Sequence, residues 1–336
     1  MSTEHDGVRD LLAAWAFGAL PPAEERTVLP HLAECDSCAA EAARLRDTVG
    51  LLDGPTPGGS APGGPALDAV LSVAVRARPA VPRVAEHAAP YAAAVSALRV
   101  LLPEAAGRWT TPVVHDWDVH ATVAHLIAAD EQLAELLGLA ARVPPSRMPE
   151  GTGPDDAWNR RTADVIAHER GRTPEETVAA WSAQAAGLLA TPEARDHERA
   201  ARAMTLMGLR LPVAEHFLVR AFETWIHTDD IGRALGLTVP PPPEEHLGRL
   251  VRLAVRILGA ALGPTAPPVL FAVEGADEWV LGSADEPVRA ELALDPVDFC
   301  LLVGGRYAPD AVPRTESGDA GVVHDVLERA ASLSWL

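Results

Sequence analysis

Residues 53–66 read DGPTPGGSAPGGPA, and this stretch divides the chain. A run so rich in proline, glycine and serine behaves as a linker, because it sustains neither a helix nor a strand. The residues before it must therefore fold as a unit of their own. A length of 336 residues predicts two or three domains. The expected boundaries are residues 1–52 for a small helical unit and 53–83 for the linker with a short helix at Leu67–Arg78. A helical bundle over 84–240 and a C-terminal α/β region over 241–336 follow. The fold class expected is mainly α.

In the first unit, Val8, Leu11, Leu12 and Trp15 recur at helical spacing and mark one apolar face. Pro21-Pro22 then precede a second helix, expected to run from Ala23 to about Val49, with Glu24 and Glu25 in its first turn. That helix carries His31-x3-Cys35-x2-Cys38, a spacing that puts three ligand side chains on one helical face. Thiolate and imidazole donors in such a pattern suit tetrahedral zinc. His5, on the first helix, is the candidate fourth ligand. A zinc ion there would clamp two short helices that have little core of their own. The other readings are a redox-active CxxC pair, or two buried thiols beside a surface histidine. The redox reading needs a βαβ context, which this region lacks.

Only three cysteines occur, two of them in this CxxC, which suits a metal site in a reducing cytosol and not a disulfide scaffold. The formal charge is −19, from 47 acidic and 28 basic residues. A chain this acidic is repelled by phosphate backbones, so direct nucleic-acid binding is not expected. No signal pattern opens the sequence, and no apolar run reaches membrane-spanning length. The expected location is the cytoplasm, away from membranes. Nucleotide-binding glycine motifs are also absent.

The main body reads as helices near 85–102, 119–140, 155–169, 174–190, 212–236 and 244–262. Strand-like runs follow at Val269–Val273, Trp279–Gly282 and Val288–Leu294, then helical patterns near 296–303 and 320–333. The helix over 212–236 carries a polar stripe, His216, Arg220, Glu223, His227 and Asp230, on a segment otherwise apolar. Ionisable groups facing a bundle interior are costly unless paired or metal-bound. Glu223 and His227 are one turn apart, and His125, from the helix over 119–140, is the best third ligand. Two histidines and a glutamate leave a position open for water or substrate, as at a catalytic zinc. Asp230 is placed to orient the free ring nitrogen of His227. The competing reading is a solvated face with ion pairs among Arg220, Glu223 and His227. His115 and His120 read as loop or surface histidines, Cys300 as a buried core thiol, and most of the tryptophans as core.

Two resemblances sharpen this. The segment EHDGVRDLLAAWAFGALPPAEERTVLPHLAECDSCAAEAARLRDTV is similar to the zinc-binding anti-sigma domain of actinobacterial regulators. The resemblance implies zinc ligands at His5, His31, Cys35 and Cys38. It also implies a sigma-factor partner, often of the extracytoplasmic-function class. Redox-sensing members carry a cysteine where this chain has His5, which leaves a Cys35–Cys38 disulfide as the route by which oxidation would expel metal. The segments WTTPVVHDWDVHATVAHLIAADE, AWNRRTADVIAHERGRTPEETVAAW and VRAFETWIHTDDIGRALG resemble the mycothiol-dependent maleylpyruvate isomerase family, a branch of the DinB-like four-helix bundles. EWVLGSADEPVRAELALDPVDFCLLVGGRYAPD resembles that family's C-terminal domain. Together they imply a second divalent metal, zinc by preference, on His125, Glu223 and His227, with mycothiol as thiol cofactor. Arg306, in the GGR motif, is implied as the holder of a substrate carboxylate.

Two functions are then expected. In the first, the protein is a cytoplasmic anti-sigma factor whose isomerase-like region senses a small thiol or other small molecule. In the second, it is a working mycothiol-dependent isomerase or thiol transferase with an accessory zinc module.

Overall fold

The computed structural model describes residues 2–17, 19–52, 83–149, 151–206, 208–275 and 277–333. They belong to two compact units, Met1–Ala80 and Val81–Leu336. The linker and the helix expected over Leu67–Arg78 lie outside the described residues.

The first unit holds α1 (Ser2–Ala16), α2 (Pro22–Glu34) and α3 (Asp36–Leu52). Pro22 sits at the start of α2, where its fixed φ suits a helix and its missing N–H costs nothing. Val8, Leu12, Trp15, Val28, Cys38 and Ala42 make a small buried core. The Arg46 guanidinium lies 3.7 Å over the Trp15 ring and caps that core. The single helix expected from Ala23 to Val49 is in fact two. Cys35 is extended, with φ −126° and ψ 100°, and its N–H closes α2 on the carbonyl of His31. His31 therefore ends one helix, Cys35 occupies the corner, and Cys38 lies in the first turn of the next.

The second unit is mainly helical. Its bundle consists of α4 (Ala89–Leu101), α5 (Val119–Leu136), α6 (Pro154–Glu169), α7 (Pro174–Ala190) and, after the short turns α8 (Pro192–Arg195) and α9 (His197–Ala200), the long α10 (Val213–Leu235). α10 packs along α4 and α5, and α5 packs against α6 and α7. Polar residues fix where these helices begin. Asp118 caps α5 by accepting from the Ala121 N–H at 2.8 Å, and Thr173 with Glu176 forms a capping box on α7. Two hairpins that the sequence pattern did not announce flank the bundle: β1 (Pro112–Val114) with β2 (Trp117–Asp118), and β3 (Ala203–Leu206) with β4 (Leu209–Pro212).

The C-terminal part opens with α11 (Glu244–Leu262) and builds a sheet from β5 (Val269–Val273), β6 (Glu278–Leu281), β7 (Ala290–Leu294) and β8 (Thr315–Gly318). The strand order is β6-β5-β7-β8, with β5 and β7 parallel and the other pairs antiparallel. Val269, Phe271 and Val273 alternate inward along β5, as a half-buried strand requires. α12 (Pro296–Val303) and α13 (Ala320–Ala331) pack on α11, and α11 packs on α10. One hydrophobic core runs without interruption from Ala88 to Ala330, so this α/β part rests on the bundle. No described helix is long and apolar enough to cross a membrane.

Two clusters of metal-ligand side chains

In the first unit, the helix break at Cys35 folds the His-Cys-Cys segment toward α1. The ligand atoms of His5, His31, Cys35 and Cys38 all lie within 4.8 Å of one another. His5 Nδ1 stands 3.6 Å from Cys35 Sγ and 3.7 Å from Cys38 Sγ. A tetrahedral zinc with its usual Zn–S and Zn–N bonds sets each S···N edge at roughly 3.6 Å, so the donor set fits that ion. The thiols are free, and the buried Nε2 of His31 has no hydrogen-bond partner among the described residues. Hydrogen bonds from the Ser37 hydroxyl and the Cys38 N–H hold the Cys35 thiol down at about 6. Burial pushes the Cys38 thiol up.

The second cluster lies inside the bundle. α5 supplies His125, and α10 supplies Glu223 and His227. These three are 1%, 1% and 0% exposed, which rules out a solvated helix face. Their ligand atoms also lie within 4.8 Å of one another. His125 Nε2 is 2.9 Å from Glu223 Oε1, and the His125 and His227 rings meet edge to face at 4.9 Å. His227 Nδ1 is 3.1 Å from Asp230 Oδ2, which leaves its buried Nε2 without a hydrogen-bond partner among the described residues. An orphaned imidazole nitrogen beside a second imidazole and a carboxylate is the donor set of an open zinc site, so the residues present fit a divalent ion.

Electrostatics keeps these groups in ligand form. Burial would push the Glu223 carboxyl up, but the Arg220 charge and the hydrogen bond to His125 outweigh it and hold the group at about 2. His227 is brought down to about 4, chiefly by burial, so it is neutral near pH 7. Burial also opposes ionisation of Asp230, yet its bonds to His227 and Arg306 hold it below the usual carboxylate range.

Arg306, expected to offer its guanidinium to a substrate, gives it to the chain's own carboxylate. Nε donates to Asp230 Oδ1 at 3.0 Å, Nη2 donates to Asp230 Oδ2, and Nη1 donates to the Gly304 carbonyl. The GGR motif explains how it arrives there. Gly305 adopts φ 72°, its N–H reaches the Leu302 carbonyl, and the Arg306 N–H reaches back to Leu301 at 2.8 Å. That left-handed helix ending reverses the chain after α12 and turns Arg306 toward α10.

A cavity of about 1180 Å³, lined in part by His125, Trp117, Trp158 and Arg220, opens beside the cluster. Trp117 stacks on His125 with centroids 4.5 Å apart, and Trp158 meets the same ring edge-on at 5.8 Å. These two tryptophans are half-buried walls of the site, and Trp117 also packs on Ala121, Ala124 and Ile166. His115 sits in the β1–β2 turn at φ 53°, as a loop histidine. His120, expected at the surface, is instead buried between α5 and α7 with Nε2 2.9 Å from Thr177 Oγ1. Cys300 is buried core.

The geometry defines a mainly helical protein with a compact His/Cys cluster in one unit and a His-Glu-His cluster inside a bundle in the other. Residues 6–39 match a zinc-finger family model. Residues 88–232 match the mycothiol maleylpyruvate isomerase N-terminal domain. Both resemblances drawn from the sequence thus find their counterparts, one in each unit. The chain is 28% identical, over 228 residues, to an uncharacterised protein found in two strains of Mycobacterium tuberculosis, covering 60% of this chain and 78% of that protein. Among solved structures, the mycothiol-dependent maleylpyruvate isomerase is similar at 17% identity and a TM-score of 0.49, covering 70% of this chain and 93% of its own.

Proposed function

We propose that the protein is a cytoplasmic zinc-binding anti-sigma factor whose isomerase-like unit senses a small thiol or related small molecule. His5, His31, Cys35 and Cys38 hold a structural zinc. His125, Glu223 and His227 hold a second divalent ion, zinc by its donor set, with Asp230 orienting His227 and Arg306 holding Asp230. The observation that carries this reading is the pairing, in one chain, of a four-donor cluster with a three-donor cluster that borders a cavity. Four donors leave a tetrahedral ion no free position, so the first site builds a surface and does no chemistry. Phe17 and Leu29 stand 62% and 50% exposed on that small module, which suits a protein partner. The partner class is a sigma factor, of the extracytoplasmic-function type. At the second site a divalent ion lowers the pKa of a bound thiol or water, and mycothiol is the thiol proposed. The chain's own residues supply the rest. Asp230 fixes the His227 tautomer, Arg306 keeps Asp230 ionised, and Trp117 and Trp158 shield the cluster from water.

The test is a pull-down of tagged protein from host lysate beside a His31→Ala/Cys35→Ala control. Recovery of one sigma factor, lost in the control, is the expected result. A folded, zinc-loaded protein that recovers none would overturn it.

The buried, complete His-Glu-His cluster favours a second reading, an active mycothiol-dependent isomerase or thiol transferase. Glu223→Ala separates the two. Sigma-factor binding survives it under the first reading, and thiol-dependent turnover vanishes under the second.

A further inference from the structure

We propose that Arg220 is the residue that reads the acidic group of the small ligand, binding a carboxylate in the cavity beside His125, Glu223 and His227. The proposal rests on the reading that those three residues hold a metal ion.

Three arginines stand near the cluster, and they differ in what their donors already do. A guanidinium has five N–H donors. Arg161 has committed all of them. Nε and Nη2 grip the Glu131 carboxylate at 2.5 and 2.6 Å, Nη1 donates to the Pro144 carbonyl and the Ser146 hydroxyl, and Nη2 also donates to the Val143 carbonyl. Arg306 spends both edges of its fork on Asp230 and the Gly304 carbonyl. Arg220 is different. Its Nη1 donates to the Ala129 carbonyl at 2.7 Å, but Nε and Nη2 have no hydrogen-bond partner among the described residues. The residue is 5% exposed, and what it faces is the cavity.

Its charge partners, Glu223 and Asp130, are themselves shared. Arg220 Nη1 lies 2.5 Å from Glu223 Oε2, yet that oxygen makes no aligned hydrogen bond, and the other oxygen of Glu223 already faces His125. A metal ion on Glu223 draws on the same carboxylate. Arg220 is then a buried cation shared between Glu223 and Asp130, on the cavity lining, with two nitrogens that no described residue accepts from. Buried N–H donors in that state are costly until an acceptor reaches them. A carboxylate matches the planar fork best, and the Trp117 and Trp158 walls accept the apolar body attached to it. The ligand is thus a small organic acid that places its carboxylate on Arg220.

The experiment uses the full-length protein with metal content measured, titrated with maleate by calorimetry. Wild type is expected to hold two zinc ions per chain and to bind maleate. Compared at full metal occupancy, Arg220→Met should weaken maleate roughly thirtyfold or more, the size of effect that removing one partner of a buried charge pair produces. Arg220→Lys, which keeps the charge and loses the fork, should fall between, and it decides the matter if the methionine variant does not fold. Two ions with maleate binding unchanged in both variants would overturn the role of Arg220 and leave the metal reading standing. Two ions with no maleate binding by wild type would overturn it as well. One ion per chain, with none lost in Glu223→Ala, would overturn the metal reading beneath it.

Discussion

Replacing Arg306 with methionine keeps the packing of its stem and removes the fork that holds Asp230. The two side chains are 11% and 7% exposed, so solvent screening does little to soften the loss. Asp230 would keep one partner, His227 Nδ1 at 3.1 Å, and lose two charge-assisted bonds. Leaving one member of a buried pair unmatched costs about 3–5 kcal/mol, and two bonds at about 1.5–3 kcal/mol each give the same range. For a unit this large, about 2–4 °C accompanies each kcal/mol, so the larger unit's melting transition should fall by roughly 6–20 °C. The assay is a double-mutant cycle of Arg306→Met, Asp230→Asn and the pair, followed by urea unfolding. If the bidentate geometry is right, Asp230→Asn rescues much of the Arg306→Met loss, because an amide buried without its partner costs less than a carboxylate. The coupling should exceed about 1.5 kcal/mol. A coupling below about 0.5 kcal/mol would show that the two residues do not act as a pair.

Metal analysis should find two zinc ions per chain, with His31→Ala/Cys35→Ala losing one and Glu223→Ala the other. A single variant that empties both sites would refute their independence. Burial raises the Asp130 carboxyl to about 7 against the pull of Arg220 and the Tyr91 hydroxyl. From about pH 4 to pH 7 the folded chain then holds a proton that the unfolded chain has released, and stability falls as pH rises at up to about 1.4 kcal/mol per pH unit. Asp130→Asn should remove that slope, and a wild-type-minus-variant difference that stays flat across the window would sink the assignment. Asp118→Ala removes the α5 cap and should cost about 1 kcal/mol in urea unfolding. Gly305→Ala forces a side chain into φ 72° and should cost about 1 kcal/mol, with Asp230 losing the effect of Arg306; unchanged stability would count against the left-handed turn.

The helices were legible because apolar period and proline punctuation agree. Pro154, Pro174 and Pro296 each stand at the first position of a helix that the pattern placed within a residue or two. The break at Cys35 was not legible. Nothing in AECDSC forbids a continuous helix, and the corner becomes visible only when His5 brings a second helix to the same ligands. The two short hairpins escaped for a related reason, since strands of two to four residues carry too little alternation to read. β8, with all four residues exposed on a sheet edge, has no apolar signal at all. At the second cluster the ligand types and the Asp230 partner of His227 could be read from spacing on α10, but the Arg306 partner of Asp230 could not. Arg306 and Asp230 lie 76 residues apart, and no local pattern joins them. The place of Trp117 against His125 follows from a hairpin that the pattern did not show.

The charges around the two clusters follow one physical logic with opposite results. In the small unit, two thiols and two imidazoles converge on a point with no charged side chain hydrogen-bonded to any of them among the described residues, so an ion there satisfies its ligands and stops. In the bundle, every ligand is already engaged: Glu223 by Arg220 and His125, His227 by Asp230, and Asp230 in turn by Arg306. Such braced ligands hold their geometry before any ion arrives, which is what a site needs if its remaining position is to accept something else. The brace on Asp230 is closed, since Arg306 spends its fork within the chain. The brace on Glu223 is not, since Arg220, which lines the cavity, keeps two nitrogens without a hydrogen-bond partner among the described residues. That asymmetry is the ground on which Arg220 is proposed as a residue through which a ligand would be felt.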